Sequence, residues 1–208
     1  MPFPLTVGGR NVASPPELAA LAQADAAGAG GTVVAGQRPW QWILGLVQSG
    51  ALDAKLAMGL GAALLQNANA VTVAEGARVA EALHPSPLGR LVLLALDAHD
   101  SALLLQNDPA RPDSSVEDSL LRCAVVVAPL DQPGVRERLL TRLRHAGLPD
   151  LELIVLLAHG SLDEVRWWMP ALLEEELEAH DLVLVRGRAA RDDEVAAWLR
   201  EHVLESVG

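Results

Sequence analysis

The sequence predicts a mostly α-helical protein, built of stacked helix hairpins and preceded by a short extended N-terminal segment. Half of the 208 residues are apolar, which is enough to bury a sizeable core. Leucines recur at the helical spacing of four residues, as in the run Leu52, Leu56, Leu60 and Leu64. The segments between such runs are short and marked by Gly, Pro and Ser, and short connections are typical of antiparallel helix pairs.

The N-terminal region, residues 1–31, is predicted to form an extended arm and one helix. The stretch "PLTVGGRNV" alternates weakly and contains a Gly pair, which indicates a short strand or arm. Ser14 is a candidate helix cap, and Glu17 stands three residues later, where its carboxylate can return to the cap amide. The Ala/Gly tract at 26–31 ends this helix and is the first candidate linker.

Two further helical subdomains are predicted, at 32–107 and 115–208. Pro39 and Gly50 bracket a helix in "RPWQWILGLVQSG", because Pro is favoured in the first helical turn and Gly just after the last. The segment "DPARPDSS" has two prolines and several cap-forming residues, and it marks the predicted boundary between the subdomains. A single continuous domain remains an alternative.

Two faint internal echoes indicate a repeated helical design. The string "ALLQN" at 63–67 returns as "LLLQN" at 103–107, forty residues later, and "PLGRLVLL" is similar to "PDLELIVL". The offset is in the range of HEAT and armadillo repeats. In their short helices, Leu/Ala-rich faces and two-residue turns, roughly residues 38–178 resemble that superfamily. The resemblance implies a solenoid of stacked helix pairs whose surface binds other proteins.

An α/β fold is the rival prediction. Three apolar runs rich in Val, Leu and Ile, near 122–129, 151–158 and 181–186, are each followed by a helical pattern, as in a βαβ chain. Periodicity alone cannot separate a buried strand from a buried helix at this length. Few such runs occur in the first half of the chain, and Gly160 followed by Ser161 suits a helix end and a new cap. The sequence therefore favours helices.

Charge restricts the classes of partner. The formal net charge is −11, and residues 105–208 hold twenty acidic against eleven basic residues. Nucleic acid and anionic membranes are disfavoured, because their phosphates would be repelled, whereas a protein with a basic surface is permitted. No secretory signal or apolar run long enough to span a bilayer is recognised, so a cytoplasmic protein is expected. Fifteen Arg against one Lys, with abundant Ala and Gly, is typical of a GC-rich bacterial coding sequence.

One short string of the sequence suggests metal chemistry. "LLAHGS", residues 156–161, resembles the cobalamin- and siroheme-pathway chelatases, in which a strand ends in His-Gly-Ser. That resemblance implies an α/β enzyme domain in which His159 addresses the metal. The competing interpretation, which we favour, is a helix C-terminus with Gly160 in a left-handed cap, because too little chain follows Ser161 to build such a domain.

No other pattern points to catalysis, so a non-catalytic protein without metal or cofactor is expected. The six histidines show no zinc-ligand spacing. Neither a P-loop nor a GxGxxG motif follows a predicted strand. The single cysteine, Cys123, lies among apolar residues, which predicts a buried and inert thiol.

The stretch "SLDEVRWWMP" carries the candidate partner-binding site. Ser161 and Glu164 have capping-box spacing, which predicts a helix from 162, with Trp168 and Met169 on its core side and a bend at Pro170. Trp167 falls on the opposite side of this helix.

Trp167 has two explanations: burial against a neighbouring helix, which is the commoner fate of a tryptophan, or exposure as an anchor for a partner. On the same predicted side lie Asp163, Glu174 and Glu178. We therefore take Trp167 and these three acids as the candidate partner-binding residues of a scaffold or adaptor protein.

Overall fold

A computed structural model describes residues 3–28, 32–106, 114–172 and 186–204. The chain is mostly helical, as predicted. It separates into two compact units, Met1–Ala128 and Pro129–Gly208. Most of the predicted boundary segment at 108–115 lies outside the described residues, and the helix that follows it belongs to the first unit.

The N-terminal extended segment is a two-stranded antiparallel hairpin of β1 (Leu5–Val7) and β2 (Arg10–Val12), with Leu5 opposite Val12. Gly8 and Gly9 form its turn with φ of 55° and 78°. Two successive residues with positive φ are what a tight hairpin turn of this hand requires, and glycine adopts them without a steric penalty. The Gly pair is therefore the centre of a hairpin and not the end of a single strand.

Six helices follow in the described part of the first unit. Its main apolar core joins the hairpin to the first four of them through Val7, Leu18, Ile43, Leu64 and Val79, which are all buried. The helices are α1 (Pro15–Ala26), α2 (Pro39–Gln48), α3 (Ala54–Leu65), α4 (Ala70–Ala82), α5 (Gly89–Gln106) and α6 (Ser114–Val127). Among these helices, α4 packs against α3, α5 and α6.

The second unit has its own aliphatic core. Leu140, Leu143, Leu156 and Val165 are completely or almost completely buried in it. Its described helices are α7 (Pro133–Ala146), α8 (Pro149–His159), α9 (Leu162–Leu172) and α10 (Asp193–Leu199), followed by a π-helical turn at Arg200–Leu204. Consecutive helices α7, α8 and α9 pack against one another, and α10 packs against α9.

The α/β alternative is wrong wherever the structure describes the runs on which it depended. Helix α6 covers 122–127 and helix α8 covers 151–158. In α8, the alternating residues Leu151, Leu153, Val155 and Leu157 are buried, and so are some of the residues that lie between them in the sequence. A helix covered on several sides has the same unbroken apolar sequence as a buried strand. The third run lies outside the described residues except for Arg186, which is helical.

Helix boundaries confirm several of the predicted signals. Helix α2 begins at Pro39, and Gly50 follows its end with a φ of 73°. Ser14 precedes α1 as predicted, but its side chain makes no capping hydrogen bond. The Glu17 carboxylate accepts the N–H of Ala13 (2.7 Å) instead of that of Ser14. No helix in the described part of the chain is long and apolar enough to cross a bilayer.

Candidate partner-binding site

Trp167 is exposed on the outer side of α9, with 76% of its surface accessible. Asp163, Arg166 and Pro170 are exposed with it, and residues three, four and seven positions apart share one side of a helix. We call these four residues the Trp167 face. The Asp163 and Arg166 side chains lie 3.9 Å apart and are 95% and 55% exposed, so their ion pair contributes little to stability.

The opposite side of α9 fixes the helix to its unit. Val165 and Met169 are completely buried, and Trp168 is 8% exposed, as predicted for Trp168 and Met169. The guanidinium of Arg144, on α7, lies 4.7 Å from the centre of the Trp168 ring, a cation–π contact. The two adjacent tryptophans therefore have different environments: Trp168 packs and Trp167 faces solvent.

A buried ion pair fixes the beginning of α9. Arg136, in the first turn of α7, is 5% exposed. Its Nε and Nη2 atoms donate to the Glu164 carboxylate at 2.9 and 2.6 Å, and its Nη1 donates to the Leu130 carbonyl at 2.7 Å. The same carboxylate accepts the Ser161 N–H (2.7 Å), and the Ser161 hydroxyl accepts the Glu164 N–H (3.3 Å). The predicted capping box is confirmed, and a buried arginine reinforces it.

These contacts determine the ionisation of Glu164. Burial opposes its ionised form, but the hydrogen bonds from Arg136 and Ser161 and the charge of Arg136 outweigh that effect. The pKa of Glu164 therefore lies below its ordinary value, and the group is a carboxylate at neutral pH.

A second arginine holds the turn between α8 and α9. Arg188 is 9% exposed, and its Nη2 donates to the Gly160 carbonyl at 2.6 Å and to the Asp192 carboxylate at 2.8 Å. Its Nη1 reaches the Leu157 carbonyl at 3.4 Å. Carbonyls at a helix end have no partner within the helix, so Arg188 supplies the missing donors.

His159 lies at the end of α8, where the favoured interpretation placed it, but the predicted cap is wrong in detail. Gly160 is extended, with φ −65° and ψ 143°, and not left-handed. Its N–H still donates to the Leu156 carbonyl (2.8 Å). Burial, and then the nearby charges of Arg136 and Arg188, hold the pKa of His159 below its ordinary value.

The strand required by the chelatase resemblance is helix α8. In the part of the chain that the structure describes, no group of three His, Cys, Asp or Glu residues is arranged to hold a metal ion. His159 therefore lies at the end of a helix, and the structure gives that resemblance no geometric support.

The remaining predicted partner-binding residues are Glu174 and Glu178. Glu174 and Glu178 lie outside the described residues, so their predicted place beside Trp167 stays a prediction. Of the three tryptophans outside α9, Trp42 is buried and donates from Nε1 to the Asp25 carboxylate (2.8 Å), whereas Trp40 and Trp198 are only partly buried.

Cys123 is buried, as predicted, and its thiol lies 3.2 Å from the Glu81 carboxylate. Burial and that negative charge raise its pKa to about 12. Because the thiolate is the reactive form, the raised pKa lowers the reactivity of this cysteine in the folded protein.

No protein-family model matches the chain, and neither a curated protein nor a solved structure matches it. Its class is therefore defined by its own described residues, as a mostly helical protein of two compact units. On the second unit, an exposed tryptophan stands on a helix that buried ionic contacts hold in place.

The burial of Arg136 and Arg188 was not predicted from the sequence, although the position of Arg136 in its helix indicates it. Arg136 falls within the same helical arc as Leu139, Leu140 and Leu143, all of which are buried. A base inside an apolar arc predicts a buried ion pair. Arg188 follows a segment without clear helical periodicity and gave no comparable signal.

Proposed function

We propose that this protein is a non-catalytic scaffold or adaptor of the helical-repeat type, and that the Trp167 face binds its protein partner. One observation carries the proposal: a tryptophan 76% exposed on a helix whose other side is anchored. An exposed tryptophan is unfavourable in water, and tryptophan and arginine are enriched where interfaces derive most of their energy.

The chemistry of the face supports a protein partner. Trp167 and Pro170 supply apolar surface, and Asp163 and Arg166 flank them with one charge of each sign. An apolar centre with a polar rim is the usual composition of an interface. The partner would offer an apolar pocket for the indole.

Charge supports a basic rim on that partner. Residues 105–208 carry the larger acidic excess of the chain, and Glu174 and Glu178 are predicted to extend the same side. Complementary charge accelerates encounter and selects among partners. We place this interaction in the cytoplasm, with neither nucleic acid nor a membrane as the partner.

Rigidity supports a binding role for α9. The Arg136–Glu164 pair and the Arg144–Trp168 contact hold the helix before any partner arrives. A surface ordered in advance loses less conformational entropy on binding, so more of the contact energy appears as affinity.

The proposal is tested by Trp167→Ala. Tagged wild-type and variant proteins are used to capture partners from extracts of the native host, and affinity for each recovered protein is then measured with purified components. We expect the variant to weaken the authentic interaction at least about thirtyfold, the effect of losing a dominant interface residue. Its melting temperature should stay within a degree or two of wild type, since exposed substitutions change stability little.

Leu94→Ala is the matched control. Leu94 is 61% exposed on α5, in the other unit. Its truncation removes exposed apolar surface that is not part of the Trp167 face and should leave affinity unchanged. Equal affinities for wild type and Trp167→Ala would refute the proposal. A large fall in the melting temperature of Trp167→Ala would show instead that the indole serves packing.

A further inference from the structure

The first unit contains an apolar cavity between the N-terminal segment, α1 and α3. Its volume is about 420 Å³, within the range of small-molecule sites. Phe3, Leu18, Ala19, Leu56 and Leu60 supply most of the apolar lining. The adjacent Pro15 and Pro16 complete one wall, and their fixed φ keeps that wall rigid.

Gly59 lines the cavity from α3. It lies inside α3, where glycine weakens a helix relative to alanine. A Cβ at Gly59 would meet nothing within 4 Å, whereas one at Gly61 would meet Val79 at 2.9 Å and one at Gly76 would meet the Leu65 nitrogen at 2.7 Å. Close packing therefore accounts for Gly61 and Gly76. Gly59 lines the cavity, and a side chain at this position would have free space to enter.

One cation stands at the rim of this apolar lining. Lys55 is the only lysine of the chain, and it forms no ion pair with any residue that the structure describes. Asp53 also lines the cavity, but its Oδ1 accepts the Leu56 N–H (2.8 Å) and caps α3. The positive end of the helix offsets the Asp53 charge, which leaves the Lys55 ammonium to pair with a ligand.

From this arrangement we infer that the cavity binds a medium-chain aliphatic carboxylate, with the chain against the apolar walls and the carboxylate at Lys55. An aliphatic chain of about ten carbons fits a volume of this size. A small polar metabolite would leave the apolar lining without apolar contacts. This site lies in the first unit and is independent of the Trp167 face.

Isothermal titration calorimetry with decanoate, kept below its micelle concentration, tests the inference on the full chain. We expect saturable one-to-one binding that is lost in Gly59→Leu, because the new side chain occupies the cavity. Gly45→Leu is the matched control: Gly45 also lies in a helix, its Cβ would meet nothing within 4 Å, and it does not line the cavity. This control should bind decanoate as wild type does.

Lys55→Met tests the headgroup and keeps most of the lysine stem. We expect decanoate to bind about threefold more weakly, which corresponds to the energy of an exposed ion pair, while decanol binding is unchanged.

Circular dichroism establishes that each variant is folded. Because Lys55 is exposed, its substitution keeps the test valid if Gly59→Leu unfolds. Absence of decanoate binding to wild type, undiminished binding to folded Gly59→Leu, or an unaltered affinity in Lys55→Met would each overturn the inference. Equal binding of decylamine would also overturn it.

Discussion

The Arg136 side chain shows how one residue positions the candidate site. It satisfies a carboxylate on α9 and the Leu130 carbonyl from a position that is 5% exposed. Burying a charge is costly unless the charge is paired and hydrogen-bonded. Removing the arginine would leave Glu164, whose side chain is only 17% exposed, without its counterion.

We predict that Arg136→Ala lowers the free energy of unfolding by about 2 to 3 kcal/mol, somewhat less than a fully buried pair because Glu164 retains some contact with water. Urea denaturation followed by circular dichroism measures this loss. The matched control is Arg166→Ala on the exposed side of α9, where we expect a change below about 0.5 kcal/mol. Equal effects of the two substitutions would contradict the role assigned to the buried pair.

The sequence predicts the environments of individual side chains only in part. The helical angles separate Trp167 from Trp168 and Met169, because the side chains of one helix point in directions fixed by its 3.6-residue period. The angles do not reveal whether another helix covers the outer side. Nor do they pair Arg136 with Glu164, which lies 28 residues later; such a contact depends on how two helices pack.

At the scale of the element, helices α1 and α9 share a capping signal in the sequence but differ in their capping hydrogen bonds. Both α1 and α9 follow a serine that has a glutamate three residues later. Only Ser161 makes the reciprocal hydrogen bonds of a capping box, whereas the Ser14 side chain makes none to its helix. The same sequence signal thus leads to different hydrogen bonding at two helix ends.

Substituting the two serines measures that difference. Ser161→Ala should lower the free energy of unfolding by about 1 kcal/mol, the usual contribution of an N-cap side chain. Ser14→Ala is the matched control and should change it by less than about 0.5 kcal/mol. Chemical denaturation of both variants provides the comparison, and a greater loss for Ser14→Ala would be incompatible with the observed hydrogen bonds.

Whether an apolar run forms a helix or a strand was harder to predict than where a helix begins or ends. The runs in α6 and α8 are continuous apolar sequences, and a strand buried on both faces has the same composition. For α8, the flanking residues are typical of a helix, because Gly147 adopts the left-handed conformation after α7 and Pro149 begins α8. Local breakers were thus more informative than apolar periodicity at these positions.

At the scale of the whole molecule, the chain divides between Ala128 and Pro129. The boundary predicted from the sequence lies earlier, at the Pro-rich segment 108–115. Helix α6 follows that segment, yet it packs against α4 and α5 and buries Leu120, Leu121 and Ala124. A polar, Pro-containing stretch marks a break in secondary structure, and such a break also occurs between helices of one core.

A truncated chain tests this division. Residues 1–128 retain the first unit's buried clusters, so we predict a helical circular dichroism spectrum and a cooperative thermal transition. The matched fragment of residues 1–107 lacks α6 and should melt with little cooperativity, because the surfaces of α4 and α5 that α6 covers become exposed. Cooperative melting of the shorter fragment would favour the boundary predicted from sequence.

The sequence alone determined the helical class, the bounds of α2 and the beginning of α9, the burial of Cys123 and the orientation of Trp168 and Met169. These properties depend on interactions within a few residues, such as capping, proline geometry and apolar spacing. Tertiary structure decided the exposure of Trp167, the Arg136 and Arg188 contacts, the division at Ala128 and the cavity beside Gly59. Each of these depends on segments distant in sequence meeting in space, and local sequence patterns do not specify those meetings.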